Sequence, residues 1–199
     1  MEKIQHDFVN AFIFNEAKKG NYESGDSYHT VLTDDYFICS VADGLGSGPI
    51  ARESSQVIPQ ILREHHHETI DQLMQRFNAK MLQKRGAAVA IFKVDFHKKT
   101  LEYSCVGNIR FYLYRKESDE IIYPLPVMGY LSGRPQKLRT QLYTYVENDL
   151  FLIHSDGVEL RNPKSMMRKA IRPDRLYNAI LESIQTGDDA TFITGNLLK

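Results

Sequence analysis

Net charge of either sign is missing from this chain of 199 residues: 25 Lys+Arg balance 25 Asp+Glu, and the pI is about 7.1. Domains that neutralise nucleic-acid phosphates are ordinarily basic, and charged tails show as one-signed blocks. Neither occurs here, so nucleic acid is not an expected partner. Long apolar runs are missing too. The stretch Ala87 to Phe92 is far short of the roughly 20 residues a membrane helix needs, so no membrane association is expected. Cysteine is reduced to Cys39 and Cys105, each inside an apolar strand-like run. That suits buried thiols in a reducing cytoplasm better than a disulfide framework, and there is no CxxC spacing for a metal. Residues 1–7 lack the charged, apolar and small-residue regions of a secretory signal, and a cytoplasmic location is the expectation.

What remains is ordinary globular composition, 42% hydrophobic and 25% charged. One domain over 1–199 is expected, long enough to bury roughly 70% of its extended surface. Asp7 to Asn15 reads as a strand covered on both faces, and Tyr28 to Thr33 with Tyr36 to Val41 reads as a hairpin turning at Asp34-Asp35. After Gly48 the apolar spacing becomes helical, with Pro49 in the first turn and Pro59 bending or splitting the helix. A second helix is predicted from about Thr69 to Lys84. An antiparallel meander follows: Ala88 to Phe96, Leu101 to Val106, Ile109 to Lys116 and Ile121 to Tyr123. Leu138 to Val146 and Leu150 to His154 are further strands, Pro173 to Thr186 a last helix, and Ala190 to Thr194 a closing strand. These elements predict an α+β four-layer sandwich, two antiparallel sheets flanked by helices.

Aspartates stand where these strands end: Gly25-Asp26, Ala42-Asp43-Gly44, Ser155-Asp156-Gly157 and Asp188-Asp189-Ala190. Each alone is common turn chemistry. Together they place carboxylates that repel one another unless cations neutralise them. Oxygen donors without a His/Cys cluster suit Mg²⁺ or Mn²⁺ rather than zinc. The turn Asp43-Gly44-Leu45-Gly46-Ser47-Gly48-Pro49 adds close backbone approach and a helix start, which favours anions. A metal-carboxylate cluster beside it points to phosphate chemistry.

Those four motifs, in that order and with Arg85-Gly86-Ala87-Ala88-Val89 and Gly107-Asn108 between them, resemble the metal-dependent protein phosphatases of the PPM family, in particular its SpoIIE-like bacterial branch. The resemblance implies that Asp43 bridges two Mn²⁺ or Mg²⁺ ions, with the Gly44 carbonyl on one, while Asp156 and Asp188 complete the other shell. Asp26 would reach the cluster directly or through water. Asp189 would be a neighbour of the shell or a ligand of an additional ion. Catalysis would rest on Asp43, Asp156 and Asp188 with no phosphoenzyme. The stress-signalling members of the branch further imply phosphoserine or phosphothreonine on small STAS-domain proteins of the stressosome as the substrate, and a negative role in the stress response.

Leu45 stands where the eukaryotic branch carries a His credited with protonating the leaving group, and no Arg precedes the first motif to hold phosphate. His29 and His154 are the nearby polar candidates, one read as a surface side chain and the other as pointing into the core. His65-His66-His67 reads as a solvated helix end. Arg161, Lys164, Arg168, Lys169, Arg172 and Arg175 form a basic cluster beside the third motif, either ordinary solvated charge or a docking surface. Two alternatives stay open. Asp43-Gly44-Leu45-Gly46 also resembles the ATP site of Bergerat-type kinases, which need an Asn-bearing helix upstream, and an inactive phosphoprotein-binding module would share the fold.

Overall fold

The computed structural model describes residues 2–185 and 187–199. Eleven strands form two sheets. The first holds β1 (Glu2–Gln5), β2 (Val9–Glu16), β11 (Ala190–Leu197), β10 (Leu150–His154), β7 (Arg110–Arg115) and β8 (Glu120–Ile122), in that spatial order. The second runs β3 (Asp26–Leu32), β4 (Tyr36–Gly44), β5 (Ala87–Asp95), β6 (Thr100–Val106), β9 (Thr140–Thr144). Every strand pair in both ladders is antiparallel.

Alternation along each strand divides the apolar residues between two faces. Phe37, Cys39, Val41, Phe92, Phe111, Phe151, Ile153 and Ile193 point between the sheets, where Phe92 meets Phe111 and Phe151 at ring-centroid distances of 5.2 Å each. The other face of the second sheet, Ile38, Ala42, Val89 and Ile91, is covered by α2 (Val57–His65) and α3 (Ile70–Lys80). The other face of the first sheet, Leu150, Leu152, Tyr112 and Phe192, is covered by α4 (Pro163–Ala170) and α5 (Pro173–Leu181). This is the expected four-layer sandwich. Both cysteines are buried and free, and burial pushes the Cys105 thiol up to about 12.

The long helix after Gly48 is split, as Pro59 requires. α1 (Pro49–Ser55) and α2 join at Gln56. The proline ring removes the N–H that the Ser55 carbonyl would accept four residues on. The Ser27 hydroxyl on β3 donates to that carbonyl instead, at 2.7 Å. At Thr69 a capping box with Gln72 starts α3.

Three expectations need correction, and two elements are additions. The meander is not continuous, because Gly107, at φ +116°, turns the chain from β6 into β7 of the other sheet. A Cβ there would lie 2.4 Å from that of Ala88. The last helix ends at Leu181, and Thr186, the end expected for it, lies outside the described residues. α1 has only seven residues and no side-chain cap, so the glycine-rich turn offers close backbone approach rather than a strong helix dipole. Finally, β1 and α4 were not expected: β1 buries little beyond Ile4, and α4 only Met167 and Ala170.

Candidate metal centre

The ends of β4 and β10 and the starts of β3, β5 and β11 meet at one end of the sandwich. Asp26 and Asp43 are direct partners in the β3–β4 ladder, so their side chains share a face, the one that looks between the sheets. Asp43 is in turn opposite Ala88, whose small side chain leaves that corner open. Gly44 brings α1 against the strand. A Cβ at 44 would lie 1.8 Å from the Ala51 carbonyl oxygen, so no other residue fits. From the first sheet, Asp156 follows β10, and Asp188 and Asp189 precede β11.

Hydrogen bonds fix these carboxylates. Asp26 is buried and accepts from the Ser155 hydroxyl at 2.6 Å, which ties the second sheet to the first. The Ser155 oxygen accepts from the Thr191 amide at 2.9 Å, locking it to β11. Asn108, in the β6–β7 turn, donates Nδ2–H to one oxygen of Asp156 at 2.7 Å. Asp189 accepts from the backbone N–H of Lys18 at 2.9 Å on Oδ1 and of Gly25 at 3.0 Å on Oδ2, pinning the β2–β3 loop. Asp188 accepts from the Asp189 amide at 2.9 Å and is exposed.

Electrostatics show how these groups act on one another. Burial, then the charges of Asp156, Asp188 and Asp189, push the Asp43 carboxyl up to about 7. Burial and Asp43 hold Asp26 well above the carboxylate range, against the lowering effect of Ser155 and Thr191. Burial and Asp188 raise Asp156 as well. Among the described residues no three His, Cys, Asp or Glu side chains already close on one point as a finished cage. The carboxylates instead share one strained field, all-oxygen in its donors, which is the environment a hard divalent cation relieves.

The family model of Stage II sporulation protein E (SpoIIE) matches residues 33–196, from the β3–β4 turn to the end of β11. The chain belongs to the SpoIIE family of PPM phosphatases. It is 36% identical over 194 residues to the phosphoserine phosphatase RsbX of Bacillus subtilis (strain 168), covering 97% of each chain. The crystal structure of RsbX in complex with magnesium superposes with a TM-score of 0.95 over 98% of both chains. A chain from a structure described as the bacterial stressosome, a modular system adapted to control secondary messenger signalling, matches at 26% identity and TM-score 0.84, over 94% of this chain and 98% of that one. The PP2C phosphatase domain of SpoIIE from Bacillus subtilis shares the fold at 18% identity and TM-score 0.80, over 96% of this chain and 63% of that one.

In this SpoIIE-family chain the other sequence candidates lie away from the centre. His154 is on the outer face of its sheet, stacked 5.9 Å from Tyr112, with Nδ1 2.7 Å from the Ser155 carbonyl. Burial drops its pKa to about 4, so it is neutral near pH 7. His29, opposite Ser40, faces the helix layer and is half-buried near Arg63 and His66. His65 lies 3.4 Å from Glu68, and the Tyr36 hydroxyl sits 2.6 Å from His66 Nδ1, so the histidine run finishes α2. No helix among the described residues precedes Asp43, which removes the Bergerat-type kinase reading.

Three contributors lacked a role in the sequence reading. Ser155 and Asn108 hold Asp26 and Asp156, and Arg110 tempers the rise at Asp156. Strand parity was the available signal for Ser155: it puts Ser155 and His154 on opposite faces, with Ser155 on the Asp43 side.

Proposed function

We propose that this chain, acting as a single domain, is a metal-dependent protein phosphatase for phosphoserine or phosphothreonine on STAS-domain proteins of a bacterial stressosome, working in the cytoplasm. The reaction breaks the phosphorus–oxygen bond to the side chain. A water oxygen takes its place on phosphorus, and the departing serine or threonine oxygen takes a proton.

The observation that carries this reading is the meeting of strand-end carboxylates from both sheets, Asp26 paired with Asp43 in one ladder and Asp156, Asp188 and Asp189 at the facing ends of β10 and β11, near enough for their charges to raise the Asp43 carboxyl. Asp43, the Gly44 carbonyl, Asp156 and Asp188 are the residues that would hold two Mg²⁺ or Mn²⁺ ions. When bound, such ions supply an acidified water and charge neutralisation on the phosphoryl oxygens. Asn108 occupies one oxygen of Asp156 and leaves the other for ligation. Ser155 orients Asp26 toward Asp43. Both oxygens of Asp189 are engaged by backbone N–H groups, which favours a role in shaping the loop over direct ligation. Leu45, half-buried, offers no proton, and His154 faces the other side of its sheet, so the leaving oxygen depends on water.

The test is release of inorganic phosphate from a phosphoserine STAS-domain protein with Mg²⁺, with Mn²⁺ and with EDTA. Turnover with either ion and none in EDTA is expected. Equal rates in EDTA would refute the metal centre.

A further inference from the structure

The basic cluster after the third Asp motif separates into two groups. Lys164 and Arg168 both reach Asp119, at 3.3 and 3.6 Å, and Arg172 pairs with Asp174 on its own helix. Arg161, Lys169 and Arg175 are exposed and, among the described residues, have no carboxylate within 4.0 Å. All three line a groove of about 740 Å³ between α4, α5 and the loop before α4. Its apolar lining includes Met166, Ala170 and Ile184, and Glu159 and Glu182 also border it.

Position gives the groove its meaning. Ile184 and Gln185 border it and also border a second cavity of about 460 Å³ that includes Asp188. The groove with the unpaired cations therefore adjoins, through Ile184 and Gln185, the cavity that Asp188 borders. Arg161 precedes α4 and Lys169 is in its last turn, about 9 Å of helix rise beyond Pro163, while Arg175 is on α5, so the three cations are spread along the groove. An extended acidic chain laid along the groove would meet these cations while its apolar side-chain atoms face Met166, Ala170 and Ile184.

We infer that this groove docks an acidic segment of the phosphoprotein whose phosphoserine sits at the carboxylate centre. The inference rests on the phosphatase reading. Specificity would then lie in the α4–α5 layer, while the centre itself contacts little beyond the phosphoryl group.

The experiment compares wild type, the triple variant Arg161→Ala/Lys169→Ala/Arg175→Ala and the control Lys164→Ala/Arg168→Ala. All five positions are on the surface, so folding is not at stake. With a phosphoserine STAS-domain protein at low ionic strength, KM of the triple variant should rise about tenfold, the scale of three exposed charge contacts. The efficiency ratio of this substrate to p-nitrophenyl phosphate should fall with it. High salt should narrow the gap, because exposed charges are screened. An unchanged KM, or an equal rise in the control, overturns the groove. Affinity for the same phosphoprotein measured in EDTA separates this from the phosphatase reading. A weaker Kd for the triple variant supports docking even if wild type proves inactive, and identical Kd values reject it.

Discussion

Replacing Asp43 by Asn should make the chain more stable, not less, when divalent ions are chelated. The folded protein holds the Asp43 proton up to about pH 7, whereas an unfolded chain releases it near the carboxyl's ordinary 3.8. Between those values the folded state binds more protons than the unfolded one, so this group's contribution to stability is lost as pH rises. Roughly three pKa units at 1.36 kcal/mol each set a ceiling of about 4 kcal/mol for Asp43 charged and unrelieved above pH 7. Wild type alone would hide the effect, because buried His154, with its pKa down at about 4, pulls the opposite way below its ordinary 6.5. The difference between wild type and Asp43→Asn cancels His154. Thermal melts in EDTA should show the variant gaining progressively from pH 5 to pH 8, up to about 8–16 °C at the ceiling for a chain of this size. Adding Mg²⁺ at about 100 times its Kd should return about 2.7 kcal/mol to wild type above pH 7 and close much of the gap. A melting difference independent of pH would refute the field of carboxylates.

Two further outcomes follow from the hydrogen bonds around the centre. Ser155→Ala removes a donor to buried Asp26 and the acceptor of the Thr191 amide, and should cost about 2 kcal/mol in denaturant titration; an unchanged midpoint would mean that the inter-sheet tie carries no energy. Asn108→Ala frees an Asp156 oxygen and should raise the Mg²⁺ concentration for half-maximal rate about 10–100-fold while leaving the melting point in EDTA unaltered; an unaltered Mg²⁺ requirement would remove Asn108 from the site.

The hairpin of β3 and β4, the helix pair broken near Pro59 and the strand-end aspartates were legible because local chemistry decides each: alternation, a missing N–H, Asp-Gly turns. β1 escaped because Glu2-Lys3-Ile4-Gln5 has one partly buried apolar residue and forms only by pairing with β2. α4 escaped because its two buried residues are submerged in charge. The passage of Gly107 between sheets is a tertiary event. It depends on the close approach of Ala88, far off in sequence. At the site the carboxylates were visible one by one, but their mutual field depends on which strand ends meet. Likewise the basic residues at 161–175 read as one cluster until Asp119, in the β7–β8 turn, was seen to engage two of them.

The most direct measurement is the turnover number of Asp43→Asn on a phosphoserine STAS-domain protein at saturating Mg²⁺, with circular dichroism recorded on the same sample. Loss of the carboxylate proposed to bridge both ions should lower the rate at least about a thousandfold, several kcal/mol of transition-state stabilisation, with the spectrum unchanged. A folded Asp43→Asn variant turning over within a few-fold of wild type would contradict the account.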